Sequence, residues 1–229
     1  MLVFKTDFLH RAEDKLRNWS VGQAMEFNAE YRRWAETLAR GDERARSGAL
    51  LFIGDSIVRE LDTSSIARHT LNFSIPGDTT LRVLERARTY RTIGTARGVV
   101  LHFGLNDLPL RPVDEALDNY RQVLDLIPAT TPTLAVAVLP VDERARRIYS
   151  NAAVRAMNSG LAALCGARPN CRFVDPTPDL VDGTGNLAAK LHGGDGIHLS
   201  VTGHEIYWNA MNAAVLASMP SAIPIFPAK

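Results

Sequence analysis

The chain reads as an α/β domain built on a parallel sheet with helices on both faces. Three observations predict it. Short β-type runs recur at 49–53, 71–73, 99–103, 133–139 and 171–174. Longer stretches between them carry apolar residues at three- and four-residue steps, the spacing of one helix face. The short runs are apolar nearly throughout, as strands covered on both faces must be. Strands that alternate with helices imply βαβ units, and βαβ units imply parallel pairing.

The elements follow in order. A leading helix places Val21, Ala24, Met25, Tyr31, Trp34, Ala35 and Leu38 on one face. Ser20 with Gln23 fits a capping box at its start, and Gly41 fits a stop. Residues 1–48 form a helical lead-in packed on a single domain that spans 1–229. Between Ile75 and Gly94 a helix led by Asp78 carries Leu81, Leu84 and Ala87. The next carries Ala116, Leu117, Tyr120, Val123, Leu124 and Ile127, and ends before Pro128, which disfavours helix in its predecessor. Another carries Val154, Met157, Leu161 and Leu164, capped by Ser150 or Asn151. The last follows Thr202-Gly203-His204 and carries Met211, Ala214 and Val215.

Composition narrows the function classes. The formal net charge is +1, with 26 basic and 25 acidic residues, so no electrostatic case exists for nucleic acid or a membrane surface. No apolar run approaches the roughly 20 residues of a membrane span. The first residues lack an apolar stretch followed by a small-residue cleavage site, which points to the cytoplasm. The two cysteines, Cys165 and Cys171, do not form a Cys-x-x-Cys motif. In a cytosolic protein they read as small apolar residues beside the core, with a disulfide the lesser alternative.

In parallel sheets of this kind ligands bind beyond the carboxyl ends of the strands. The first strand is followed by Gly54-Asp55-Ser56, the second by Pro76-Gly77-Asp78-Thr79-Thr80, and the third by Gly104-Leu105-Asn106-Asp107. After the fifth, past a loop, comes His192-Gly193-Gly194-Asp195-Gly196-Ile197-His198. Acyl transfer needs a nucleophile, a base, a group that orients the base, and donors for the developing oxyanion. Ser56 stands at a helix start, His198 can take its proton, and Asp195 is close enough in sequence to hold the imidazole. Asn106 offers a side-chain NH₂. The N–H of Gly77 can approach a ligand closely because glycine lacks Cβ, and the Ser56 N–H is a third donor.

The segments Gly54-Asp55-Ser56-Ile57, Gly77, Gly104-Leu105-Asn106-Asp107 and Asp195-Gly196-Ile197-His198 resemble, in order, the four blocks of the SGNH (GDSL-type) hydrolase superfamily. The resemblance runs from about Leu50 to Val215. It implies a flavodoxin-like three-layer sandwich with a five-stranded parallel sheet and a cofactor-free esterase or lipase mechanism. Ser56, Asp195 and His198 would be the catalytic triad, with Ser56, Gly77 and Asn106 the oxyanion hole. The long leading helix and Gly77-Asp78-Thr79-Thr80 look like the branch of platelet-activating-factor acetylhydrolase subunits, which implies a small short-acyl ester substrate. Pro76 departs from the small residue that relatives often carry there. Thr79, Leu108 and Leu110 are the expected substrate-binding walls. Thioester cleavage and acyl transfer to another alcohol use the same residues and remain alternatives. Exposed aromatic residues on the leading helix would imply a homodimer.

Other polar residues have plainer readings. Asp55 and Asp107 are expected to accept hydrogen bonds from loop amides. His102 lies inside an apolar strand and reads as a core histidine. His204 caps or packs at the start of the last helix. Arg144, Arg146 and Arg147 form a solvated basic cluster at the site edge, where it could meet a negatively charged part of a substrate. A competing reading gathers His192, Asp195 and His198 on one metal ion. It leaves Ser56, Gly77 and Asn106 unexplained, so no metal is expected.

Overall fold

The structure is a computed structural model and describes residues 29–219. Val21, Ala24, Met25 and the Ser20/Gln23 capping box lie outside the described residues. In chain order the elements are α1 (Ala29–Arg44), β1 (Leu50–Gly54), α2 (Ser56–Arg59), β2 (Thr70–Asn72), α3 (Thr80–Ala87) and β3 (Gly98–His102). They continue with α4 (Val113–Leu126), β4 (Thr133–Val136), α5 (Asn151–Gly166), β5 (Cys171–Val174) and α6 (Val201–Ser218).

The five strands pair in the order β2-β1-β3-β4-β5, parallel throughout. This is the flavodoxin-like order, and the strand order reverses between β1 and β3. Those two strands end together, with Gly54 opposite His102. The turns that follow them therefore leave the sheet side by side.

Alternation along each strand builds two cores. Leu51, Ile53, Val99 and Leu101 pack with Tyr31, Leu38, Val83, Tyr120, Val154 and Leu161, so α1, α3, α4 and α5 cover one face. Leu50, Phe52, Val100, Leu134 and Val136 pack with Ile57, Tyr207, Met211 and Val215, so α2 and α6 cover the other. Each such buried side chain contributes roughly 1.5–3 kcal/mol of apolar transfer energy. Among the described residues no helix is long and apolar enough to cross a membrane. On α1, Tyr31 is buried and Trp34 is half-buried, with the Arg59 guanidinium 4.5 Å from its ring centroid.

Several boundaries differ from the sequence reading. The helix α1 runs through Gly41 to Arg44. Its last turn is held from outside, because the buried Asp42 carboxylate accepts from the Arg91 and Thr92 amides at 2.8 and 2.9 Å. Strand β4 stops at Val136 although burial continues through Leu139. There Val138 exchanges two hydrogen bonds with the Asn158 side chain instead of continuing the ladder. Thr79, rather than Asp78, caps α3. Cys165 and Cys171 are joined in a disulfide, which corrects the reading of two unpaired residues. The last turn of α5 and the first residue of β5 bring their Cα atoms to 5.1 Å, within bridging range.

Candidate active site

The nucleophile turn begins where β1 meets a steric limit. A Cβ on Gly54 would lie 2.6 Å from the His102 carbonyl oxygen and 2.6 Å from Val58 Cγ2. Only glycine lets β1, β3 and α2 approach this closely. Asp55 then caps α2, its carboxylate accepting from the Ile57 amide at 3.0 Å, as a loop acid was expected to do. Burial pushes the Asp55 carboxyl up to about 7; the Ile57 bond pulls the other way, and the nearby Asp78 adds to the rise. Ser56 is the first residue of α2, where a backbone N–H has no acceptor within its own helix.

His198 lies 142 residues further on, and its Nε2 is 2.9 Å from Ser56 Oγ. Its Nδ1 is 2.6 Å from Asp195 Oδ2. A carboxylate only accepts, so Nδ1 carries the hydrogen and Nε2 is free to accept from the serine. Asp195 Oδ1 accepts from the Ile197 and His198 amides, each at 2.9 Å. Partial burial raises the Asp195 carboxyl, but the His198 ring and these two amides outweigh it and hold the group well below the usual carboxylate range. The acid is thus kept ionised beside the imidazole.

Gly77 has φ +74°, which L side chains rarely adopt, and an added Cβ there would meet nothing within 4 Å. The constraint at this turn is conformational, not steric. Its carbonyl accepts from Arg82 Nη1 at 3.4 Å, and the next residue, Asp78, is fully buried and ion-paired with Arg86. Asn106 sits on a 3-10 turn after β3 and donates from Nδ2 to the Asp78 carbonyl at 3.0 Å. Asp107 accepts from the Thr80 amide at 2.8 Å and from Arg111 at 2.8 Å, tying the β3 turn to α3.

A cavity of about 270 Å³ opens over these groups, lined by Ser56, Gly77, Asn106 and His198 with Arg146 and Tyr149. Ile57, Pro76, Leu105 and Ile197 supply its apolar surface. The expected walls Thr79, Leu108 and Leu110 do not line it. Thr79 is buried and turns its hydroxyl to the Arg82 amide, and Leu108 packs on the core. Tyr149 was missed because the segment after β4 carries no motif. Its one signal is position, since it leaves the same sheet edge as the other site turns.

His192, Asp195 and His198 do not converge on a common point. His192 Nδ1 accepts from the Gly194 and Gly196 amides at 3.0 and 3.2 Å, while His198 is engaged by Asp195 and Ser56. No group of three or more His, Cys, Asp or Glu side chains among the described residues is placed to hold a metal. His102 is buried against Tyr207, with burial pushing its ring down to about 3. His204 bonds Glu60 at 3.0 Å on the outer surface. Of the basic cluster, Arg144 turns to Asp142 and Asp182, and Arg146 alone reaches the cavity.

Several known proteins are similar in sequence or in fold. The bovine (Bos taurus) platelet-activating factor acetylhydrolase IB subunit alpha1 is 28% identical over 193 residues, covering 76% of this chain and 78% of that protein. A solved structure from Streptococcus pneumonia that carries the name of platelet activating factor superposes with TM-score 0.73 at 25% identity, over 90% of this chain and 99% of its own. A catalytic mutant of an acetylxylan esterase from Geobacillus stearothermophilus shares the fold at 15% identity, with TM-score 0.60 over 75% of this chain and 95% of its own. The model of the GDSL-like Lipase/Acylhydrolase family matches residues 52–206, which contain every turn of the cavity described above. The chain belongs to that family, and with it to the carboxylic ester hydrolases.

Proposed function

We propose that the protein hydrolyses small carboxylic esters, with short acyl groups preferred, through an acyl-enzyme on Ser56. One observation carries the reading: His198 bridges Ser56 at 2.9 Å and Asp195 at 2.6 Å through its two ring nitrogens. Ser56 Oγ attacks the ester carbonyl as His198 Nε2 takes its proton. Asp195 holds the ring and stabilises the imidazolium. The Ser56 and Gly77 N–H groups and the uncommitted Asn106 amide hydrogen receive the oxyanion. The tetrahedral intermediate collapses, and His198 returns the proton to the leaving alcohol. Water, deprotonated by His198, then attacks the acyl-enzyme and releases Ser56. The cavity of about 270 Å³ favours acetyl-sized groups over long chains.

The test is labelling with a fluorophosphonate, the adduct mapped by peptide mass spectrometry, beside a screen of p-nitrophenyl esters from acetyl to palmitoyl. The expected result is an adduct on Ser56, lost in His198→Ala, with turnover greatest for the shortest esters. An unlabelled Ser56 in folded protein would overturn the reading.

A further inference from the structure

The cavity contains a basic side chain for which the hydrolytic mechanism has no use. Arg146 stands in the loop between β4 and α5, with its side chain 43% exposed. Its Nε donates to the Asp195 carbonyl at 2.8 Å, and Nη2 leans toward Asp195 Oδ2 at 3.6 Å. These contacts engage the Nε–Nη2 edge of the guanidinium. The end-on edge, formed by Nη1 and the outer Nη2 hydrogen, has no acceptor among the described residues. The bond to Asp195 fixes the plane of the group, so this edge is presented in one orientation.

The charges around it favour an anion. Asp195 is not part of the cavity wall, and its oxygens are taken by His198 and two amides. The carboxyl that does line the cavity, Asp55, is disfavoured from ionising by its burial. The charges of Arg144 are matched by Asp142 and Asp182, away from the opening. Arg146 is therefore the wall's fixed cation, on the same surface as Ser56 and Tyr149. A planar guanidinium with a free edge is suited to two oxygens of one oxyanion.

We propose that Arg146 selects esters bearing an oxyanion, a carboxylate or a phosphate, beside the scissile acetyl-type ester. This rests on the ester hydrolase reading above and adds a substrate class to it. No new bond chemistry is involved: the oxyanion stays on the substrate while Ser56 and His198 act on the ester.

The test compares kcat/KM for 4-acetoxybenzoate, 4-acetoxyphenyl phosphate and the neutral 4-acetoxybenzamide, corrected for spontaneous hydrolysis. The wild-type protein is run beside Arg146→Gln and Arg146→Lys. At low ionic strength the wild type is expected to prefer at least one anionic ester by about tenfold, mainly through KM. The carboxylate and phosphate arms tell which oxyanion fits. Arg146→Gln removes the preference, and Arg146→Lys restores part of it. Any loss of triad alignment in the variants lowers all three substrates together and cancels in the ratio. Equal losses on all three, or an unchanged preference in Arg146→Gln, would overturn the proposal and leave Arg146 as a support for Asp195. Fluorophosphonate labelling of Ser56 in the same samples separates this failure from the other. A labelled Ser56 without anion preference sinks the substrate class alone, whereas no label and no turnover sinks the hydrolase reading and the proposal with it.

Discussion

Asn106 donates from Nδ2 to the Asp78 carbonyl at 3.0 Å. One of its two amide hydrogens is committed to that bond, and the other is left for the cavity that Asn106 and Ser56 both line. Replacing Asn106 by Ala removes the donor without touching the triad. The expected outcome is a fall in kcat of about 10²–10³ with little change in KM. An unchanged kcat would remove Asn106 from the oxyanion hole.

Asp195 is held ionised by three donors. Asp195→Asn reverses the proton bookkeeping at His198 Nδ1, and kcat is expected to fall roughly 10³- to 10⁴-fold. The variant also has a pH signature. A depressed carboxyl stabilises the fold above its ordinary pKa of 3.8, and that contribution disappears as pH falls through the lower folded value. The stability difference between wild type and variant should be flat from pH 5 to 7 and shrink below about pH 4. A difference that does not vary with pH would show that the donors do not favour the ionised form.

Asp55 has the opposite sign. Burial makes its carboxyl harder to ionise in the folded chain, with a value of about 7 against 3.8 in the open chain. Its favourable contribution is complete below 3.8 and is lost as pH rises through about 7. Asp55→Asn keeps an oxygen for the Ile57 amide and cannot ionise. Chemical denaturation should therefore favour the variant, relative to wild type, by at least about 1 kcal/mol more at pH 8 than at pH 4. Parallel stability profiles across that range would contradict the assignment.

The Cys165–Cys171 bridge closes a short loop between α5 and β5. Chain-entropy arguments assign a loop of this size about 2 kcal/mol. The double variant Cys165→Ala/Cys171→Ala should lose stability by about that amount while keeping its kcat, since the bridge lies at the opposite ends of the strands from Ser56. Two free thiols by titration of denatured, unreduced protein would show that the bridge does not form.

The site turns after β1, β2 and β3 were legible in the sequence because those apolar runs give way to glycine and polar residues, and a parallel sheet delivers such turns to one edge. Ser56, Gly77 and Asn106 announce themselves this way, whereas Asp195 and His198 lie on a loop well past the end of β5 and were legible from their residue types and three-residue spacing. The strand limits were less legible because apolarity reports burial rather than hydrogen bonding. Residues 137–139 stay in the core after Asn158 has drawn Val138 out of the ladder. Gly41 misled for a related reason, since the turn it was expected to end is secured by Asp42 against Arg91 and Thr92. The cysteine pair and the cavity walls depend on which segments meet in space. Nothing local marks Tyr149 as facing Ser56, or Thr79 as turned away from it.

The two halves of the site are mounted differently. Ser56 and Asn106 follow the hydrogen-bonded ends of β1 and β3, whereas Asp195 and His198 ride on an irregular loop. That loop is fastened by the Asp142 amide to the Gly196 carbonyl at 2.9 Å and by Arg146 to Asp195. Segments held by a few such bonds open at lower free energy than paired strands. The proton-handling half is therefore expected to open at lower free energy than the nucleophile turn. Hydrogen exchange should be faster at the 195–198 amides than at those of β1. Warming should uncouple His198 from Ser56 before the sheet melts, so catalysis would fade reversibly some degrees below the loss of secondary structure.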